Sequence, residues 1–126
     1  MSDRKYAMNV TVQARYLPEQ SSPDEGQYAF AYTIRIANTG TVPAQLISRH
    51  WVITDANGKV VEVKGLGVVG HQPLLAPGQS FEYTSGTPLE TPTGTMRGSY
   101  FCVAEDGERF EVPIGEFALL TPRSLH

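Results

Sequence analysis

Residues Tyr28 to Ile36 read YAFAYTIRI, and large apolar side chains occupy every second position of this stretch. The residues that share this parity are Tyr28, Phe30, Tyr32, Ile34 and Ile36. In a β-strand successive side chains point to opposite faces, so a period of two places these residues on one face. The stretch therefore predicts a strand with one strongly apolar, aromatic-rich face.

The same period recurs outward from this strand along most of the chain. Met8 to Tyr16 alternates apolar and polar residues. Further strand-like runs lie at Ala44 to Asp55, Val60 to Val63, Phe81 to Ser85, Met96 to Val103 and Phe110 to Leu120. No stretch of helical period is long enough to compete. The pattern predicts an all-β sandwich of about seven to eight antiparallel strands.

Turn signals separate these runs. Asn57-Gly58 is the strongest and predicts a tight hairpin, because both residues tolerate positive φ. Pro77-Gly78 and Asp106-Gly107 predict two further turns, LPEQSSPDEG (17–26) predicts a loop, and Thr87 to Gly94 predicts an irregular segment. Since the chain has one cysteine, a fibronectin type III-like sandwich is expected rather than a disulfide-bonded immunoglobulin domain.

Length and charge limit the function classes. A chain of 126 residues predicts one domain spanning residues 1–126. A formal charge of −3 provides no basic face for duplex nucleic acid. No leader-like or membrane-spanning apolar run is visible, and a single cysteine fits a reducing compartment, so we expect a cytoplasmic protein without nucleic-acid or membrane partners.

Lys64 to Pro73 reads KGLGVVGHQP, and Gly65, Gly67 and Gly70 form G-x-G-x-x-G, the glycine spacing of a dinucleotide-binding turn. That turn needs a strand before it and a helix after it, since the helix N-terminus receives the pyrophosphate. A strand precedes the glycines, but Gln72-Pro73 and then Pro77-Gly78 follow, and these prevent a helix. The sequence therefore excludes a dinucleotide-binding turn.

Two interpretations of the glycines remain open. They serve the shape of the backbone through positive φ, a bulge or a close approach, or the loop presents N–H groups to an anion. Arg49 shares the parity of Trp51, so its stem either lies along an aromatic face or its guanidinium faces an anion or carboxylate. Arg97 is a similar candidate. The candidate anion-binding residues are Gly65, Gly67, Gly70, His71, Gln72, Arg49 and Arg97.

The sequence predicts no catalytic residues, metal ligands or cofactor. His50, His71, Cys102 and His126 lack the close pair spacings of zinc sites. No G-x-S-x-G motif occurs, and Cys102 lies in an apolar strand where an inert core thiol is expected.

Three blocks of sequence resemble the ApaG family, also called CorD in some bacteria. They are RHWVITDANGK (49–59), VEVKGLGVVGHQPLLAPGQSFEYTSG (61–86) and LETPTGTMRGSY (89–100). The resemblance implies a fibronectin type III-like sandwich with no established catalytic activity, a link to cobalt resistance and magnesium efflux, and protein binding in eukaryotic relatives. It also implies a suggested phosphate or pyrophosphate site at Gly65, Gly67 and Gly70, with His71 and Gln72 beside them.

These observations lead to a non-enzymatic binding module as the main hypothesis, with a protein as partner. The alternative hypothesis is a protein that binds phosphate, pyrophosphate or a nucleotide through the Gly65–Gly70 loop. An unpaired edge strand would also allow a homodimer.

Overall fold

The computed structural model describes residues 4–122, which form a sandwich of two antiparallel sheets. The first sheet has the order β1-β2-β6, with β1 at Met8–Tyr16, β2 at Tyr28–Asn38 and β6 at Ser80–Leu89. The buried face of β2 is the one that its alternating sequence predicts. Two short 3₁₀ helices, Pro18–Gln20 and Pro23–Glu25, lie within the predicted loop that connects β1 to β2.

The second sheet is built around β3. Its strands are β3 (Ala44–Asp55), β4 (Val60–Leu66), β5 (Leu74–Leu75), β7 (Thr93–Ala104) and β8 (Arg109–Leu120). The order is β4-β3-β7-β8, and β5 pairs with the first residues of β3 on the same side as β4. The count of eight strands confirms the predicted all-β sandwich. The three-stranded sheet faces the sheet of β4, β3, β7 and β8, and this arrangement of three strands against four is fibronectin type III-like.

The core lies between the two sheets and is rich in aromatic residues. The indole of Trp51 on β3 contacts Tyr32 of the facing sheet edge-on, with ring centroids 5.4 Å apart. The rings of Tyr100 and Phe117 also meet Trp51 at steep angles. The Trp51–Tyr32 contact joins the two sheets, while Tyr100 and Phe117 pack around the indole from its own sheet.

A bulge in β3 explains why both parities of that strand carry apolar residues. The pairing with β7 shifts between Leu46 and Ser48, so the side chains change faces at Ile47. Leu46 is buried before the bulge, and Trp51 is buried after it. Arg49 lies on the Trp51 side of the bulge and therefore faces inward, at the margin of the core.

The Asn57-Gly58 hairpin is present between β3 and β4, although its turn differs from the predicted one. Gly58 has a φ of 85°, and Asn57 is not among the residues with positive φ. The carboxylate of Asp55 accepts hydrogen bonds from the N–H groups of Asn57 and Lys59, at 2.8 and 2.9 Å. A side-chain acceptor thus stabilises this turn in place of two left-handed residues.

The irregular segment expected from Thr87 to Gly94 is shorter than predicted and is confined to residues 90–92. Strand β6 continues to Leu89 and β7 begins at Thr93, so a short connection joins the two sheets. The buried hydroxyl of Thr91 accepts a hydrogen bond from the N–H of Ala56 and donates one to the carbonyl of Thr93. These side-chain hydrogen bonds order the connection between β6 and β7, and the local residue composition does not reveal them.

The two sides of the sandwich differ. On one side β1 packs against β8, whereas on the other side β4 and β6 hardly touch. Among residues 4–122, no helix has the length and apolar character needed to cross a membrane.

Candidate functional site

The glycine loop interrupts the edge of the second sheet. Both β4 and β5 pair with β3, and residues 67–73 lie between them. The N–H of Gly67 donates to the carbonyl of Ile47 in the β3 bulge, at 2.8 Å. The loop therefore leaves the sheet opposite the bulge and returns one short strand later.

Gly65 gives the guanidinium of Arg49 a place to lie. The two residues are paired across β3 and β4. A Cβ at Gly65 would come within 2.8 Å of Nη1 and 2.9 Å of Nη2 of Arg49, closer than real side chains approach. Nη1 donates to the carbonyls of Leu66 and Gly67, at 3.0 and 2.9 Å. The absence of a side chain at Gly65 thus lets the guanidinium cross the edge strand.

Gly67 and Gly70 have different backbone requirements. Gly67 has a φ of 67°, and a Cβ there would lie 2.5 Å from the carbonyl oxygen of His71. Gly70 has a φ of 84° and open space around it. Together with Val69, whose φ is 42°, Gly70 forms a two-residue turn closed by reciprocal hydrogen bonds between Val68 and His71. Positive φ at both central positions is typical of a type I′ turn.

The loop also closes the core. The side chain of Val68 is fully buried within the apolar cluster. The ring of His71 packs against Phe81 of the facing sheet, with centroids 5.6 Å apart. The amide of Gln72 donates to the carbonyl of Ile47 at 2.9 Å. His71 and Gln72 accordingly hold the loop against both sheets.

Arg97 does not belong to this group of residues. It is exposed and pairs with Val52, so it lies on the outer face of the sheet, opposite to Arg49. On that face its positive charge helps to lower the pKa of Glu62, a shift caused mainly by the hydrogen bond from His50. The structure thus brings Arg49, His71 and Gln72 to the glycine loop and leaves Arg97 elsewhere.

The loop has few N–H groups to offer an anion. Those of Gly67, Val68 and His71 already donate to backbone carbonyls, at 2.8 to 2.9 Å. Two consecutive left-handed residues, Val69 and Gly70, also differ from the alternating conformation of an anion-binding nest. The geometry supports the interpretation of the glycines as backbone-shaping residues. Anion binding stays a prediction that depends on Arg49.

Two buried tyrosines behind Arg49 were missed by sequence reasoning. The hydroxyls of Tyr83 on β6 and Tyr100 on β7 form a hydrogen bond of 2.6 Å between the sheets. Burial raises the pKa of Tyr83 to about 12 and that of Tyr100 further, while the charge of Arg49 lowers both. Only their inward parity on two separate strands was visible in the sequence, and parity does not reveal a pair.

The other reactive residues fit structural roles. Cys102 is buried, as predicted, and burial raises the pKa of its thiol to about 12. Within residues 4–122 no group of three His, Cys, Asp or Glu side chains could hold a metal ion. His50 pairs with Glu62 at 2.9 Å, His71 packs on Phe81, and His126 lies outside the described residues.

Exposed apolar side chains concentrate at the β4–β5 edge. Of the seven large apolar residues that are exposed in the described chain, six lie between positions 60 and 74. We call these six residues the apolar edge: Val60, Val61, Val63, Leu66, Val69 and Leu74. Between β4 and β6 the sandwich opens into a cleft of about 490 Å³, whose walls include Val61, Val63 and Leu89. This side of the sandwich thus combines an apolar groove with a strand, β4, that pairs on one side only among the described residues.

A family model described as the ApaG domain matches residues 18–104. The chain belongs to the ApaG family. Protein ApaG of Ralstonia nicotianae is 70% identical over 122 residues, which cover 97% of this chain and 98% of that protein. Protein ApaG of Bordetella pertussis is 65% identical over 123 residues, covering 98% and 94% of the two chains.

The ApaG fold is also found in a crystal structure. A Bordetella pertussis protein named ApaA superposes with a TM-score of 0.94 at 63% sequence identity, covering 98% of this chain and 100% of that one. A second crystal structure matches with a TM-score of 0.88 at 50% identity, covering 94% and 90%. These matches confirm the family resemblance of the three sequence blocks.

Proposed function

We propose that this ApaG domain is a non-catalytic protein-binding module and that the β4–β5 edge is its binding surface. The observation that carries the proposal is the concentration of exposed apolar side chains on this one edge. Scattered apolar residues are ordinary on a protein surface, whereas a cluster marks an interaction site. The cleft between β4 and β6 adds a groove beside the cluster.

Strand addition is the binding mode that fits this surface. β4 pairs with β3 on one side, and no strand of the described chain pairs with its other side. Its outward N–H and C=O groups can bond an extended segment of a partner. Apolar side chains of that segment would then pack into the cleft beside Val61 and Val63.

The link to cobalt and magnesium belongs to the same proposal as an indirect effect. Since the described residues offer no cluster of metal ligands, a partner protein would carry the cation chemistry. We expect equilibrium dialysis to find no stoichiometric cobalt binding at micromolar concentrations. A reducing, cytoplasmic setting is proposed with it, because the chain's cysteine is a buried free thiol.

Affinity capture with matched variants tests the proposal. Tagged wild-type protein, Val61→Lys and Leu120→Lys are used to capture proteins from bacterial lysate, and the recovered partner is purified for direct titration. Both positions are exposed apolar residues on strands at the edges of the second sheet. Leu120 lies on β8, at the edge opposite to the apolar edge.

We expect the partner to bind the wild type and Leu120→Lys equally and Val61→Lys at least tenfold more weakly. Equal affinity of all three proteins would place the interface elsewhere. Sedimentation of the isolated domain covers the homodimer: a dimer that Val61→Lys dissociates would make a second copy the occupant of this edge.

A further inference from the structure

Arg49 carries a charge that no carboxylate in the described chain balances. The ion pairs among residues 4–122 join Lys5 to Asp106, His50 to Glu62 and Lys59 to Glu90. Arg49 is partly buried, where an unpaired charge is more costly than at an exposed surface position. An arginine that is partly buried and has no counter-ion among these residues is therefore a place where an anion would be favoured.

The hydrogen bonds of Arg49 leave one side of its guanidinium open. Both protons of Nη1 are used by the carbonyls of Leu66 and Gly67. Nη2 and Nε have no acceptor among the described residues, so the guanidinium is fixed by one nitrogen and offers the others. Because Gly65 has no side chain, these donors stand at the edge strand itself.

The tyrosine pair leaves a second donor without an acceptor. Two hydroxyls bring two protons, and the bond between Tyr83 and Tyr100 uses one of them. Neither hydroxyl has another partner in the described chain, although the two residues are only 6% and 0% exposed. Tyr83 is the more exposed of the two residues, and the charge of Arg49 acts on its hydroxyl, so the free proton is assigned to Tyr83.

We propose that Arg49, assisted by the hydroxyl of Tyr83, binds a carboxylate of the partner segment that lies along β4. The inference rests on the proposed function and specifies its partner: an extended segment with apolar residues beside Val61 and Val63 and an Asp or Glu beside Gly65. A guanidinium that presents two donors on one side matches the two oxygens of a carboxylate.

A free phosphate fits these groups less well. A phosphate dianion carries two negative charges and three strong acceptor oxygens, more than one guanidinium side and one hydroxyl can balance and bond. The loop N–H groups of Gly67, Val68 and His71 are already used, and Arg97 lies on the other face of the sheet. The remaining donors balance a single negative charge.

Selection from a phage-displayed library of random nonapeptides tests the inference. Selections are run on the wild type, Arg49→Gln and Leu120→Lys. We expect the wild type and Leu120→Lys to enrich peptides with alternating apolar residues and an Asp or Glu at one fixed position. On Arg49→Gln the preference for an acid at that position should disappear while the apolar preference persists.

Binding measurements separate a role in recognition from a role in folding. One enriched peptide and its Glu→Gln counterpart are titrated against the wild type, Arg49→Gln and Tyr83→Phe, after thermal melts have shown that each variant is folded. We expect the loss of the peptide carboxylate to weaken binding to the wild type about tenfold and to leave binding to Arg49→Gln nearly unchanged. For Tyr83→Phe we expect an intermediate loss.

The outcomes distinguish this inference from the proposed function. Peptides that bind at β4 with no fixed acid, or with an acid preference that survives in Arg49→Gln, would overturn the inference. They would leave the β4–β5 edge as the binding surface. Failure to enrich any peptide would count against both. Calorimetry with inorganic phosphate is the third arm: binding that Arg49→Gln abolishes, without an acid preference among peptides, would replace the carboxylate with phosphate.

Discussion

The G-x-G-x-x-G motif has a different physical origin at each of its three glycines, Gly65, Gly67 and Gly70. Gly65 leaves room for a guanidinium, Gly67 combines positive φ with a close carbonyl, and Gly70 supplies positive φ alone. A dinucleotide-binding turn uses the same residue type for close approach of a phosphate. The motif therefore reports on the backbone, and its neighbours decide what it serves.

Alanine substitutions should separate these origins. We expect Gly70→Ala to lower the free energy of unfolding by about 1–2 kcal/mol, the cost of placing an L-residue in the left-handed region. Gly67→Ala should cost more, because its Cβ would also meet the carbonyl of His71. Urea denaturation of both variants measures the difference, and equal losses would show that the loop relaxes around Gly67.

Buried tyrosines should make the domain sensitive to alkali. The pKa of Tyr83 is about 12 in the folded protein and near 10 when unfolded, so the unfolded state releases its proton first. The stability that Tyr83 contributes is therefore fully present below pH 10 and is lost as the pH rises toward 12, by about 2 kcal/mol.

Absorbance of tyrosinate at alkaline pH, recorded together with urea midpoints, measures this effect. Tyr83→Phe should be less stable at neutral pH, since Tyr100 loses its partner, and should show a shallower decline above pH 10. A decline as steep as that of the wild type would assign the alkaline sensitivity to other groups.

Among the elements, the turn between β4 and β5 is the one that departs most from local preference. Val69 is a β-branched residue with a φ of 42°, and its side chain is 51% exposed at the tip of the turn. Such conformations are unusual for valine and cost free energy. A contact between this exposed side chain and the partner would explain a valine at this position.

Val69→Asn should therefore stabilise the domain and weaken partner binding. Asn-Gly is a favoured sequence for a turn with two positive φ angles, so we expect a gain of about 1 kcal/mol in the free energy of unfolding. Thermal melts and titration with the captured partner provide the two measurements. Unchanged partner affinity in a more stable variant would remove Val69 from the binding surface.

The strands were predictable from sequence to the extent that their alternation is local. The bounds of β1 and β3 match the predicted runs, and β2 extends its run by two residues to Asn38. The two-residue β5 was not predicted, since Leu74-Leu75 has no period to read. In β3 the bulge changes which alternate positions face the core. Because apolar residues occupy both sets of positions, the sequence does not reveal where the bulge lies.

The candidate site was predictable only in part, because its contacts join distant segments. The glycines and Arg49 were identified from spacing and parity, and the structure brings them together. The Tyr83–Tyr100 pair depends on how β6 faces β7, and the position of Arg97 depends on its pairing with Val52. Such relations follow from sheet order, which no single strand encodes.

At the scale of the whole molecule, the two sides of the sandwich should differ in local stability. β1 and β8 support each other, whereas β4 has one neighbouring strand and little contact with β6. Local opening should therefore be easiest at β4. In native-state hydrogen exchange we expect the amides of Val60–Leu66 to exchange well before those of β7.

The same exchange experiment in the presence of the captured partner also tests the binding edge. Slowed exchange in β4, with β1 and β8 unchanged, is the expected result. Exchange in β4 that matches β7 in the free protein would contradict the description of an open side.

The turn at Val68–His71 also limits how far pairing along this edge can extend. β4 is seven residues long and β5 only two, and the turn separates them. At about 3.3 Å per residue, an added strand can follow β4 for roughly 23 Å before it meets the turn. Continuous edge-to-edge stacking of many copies needs a longer uninterrupted strand. The domain can thus offer the open side of β4 to a short segment of another protein and still resist growth into fibrils.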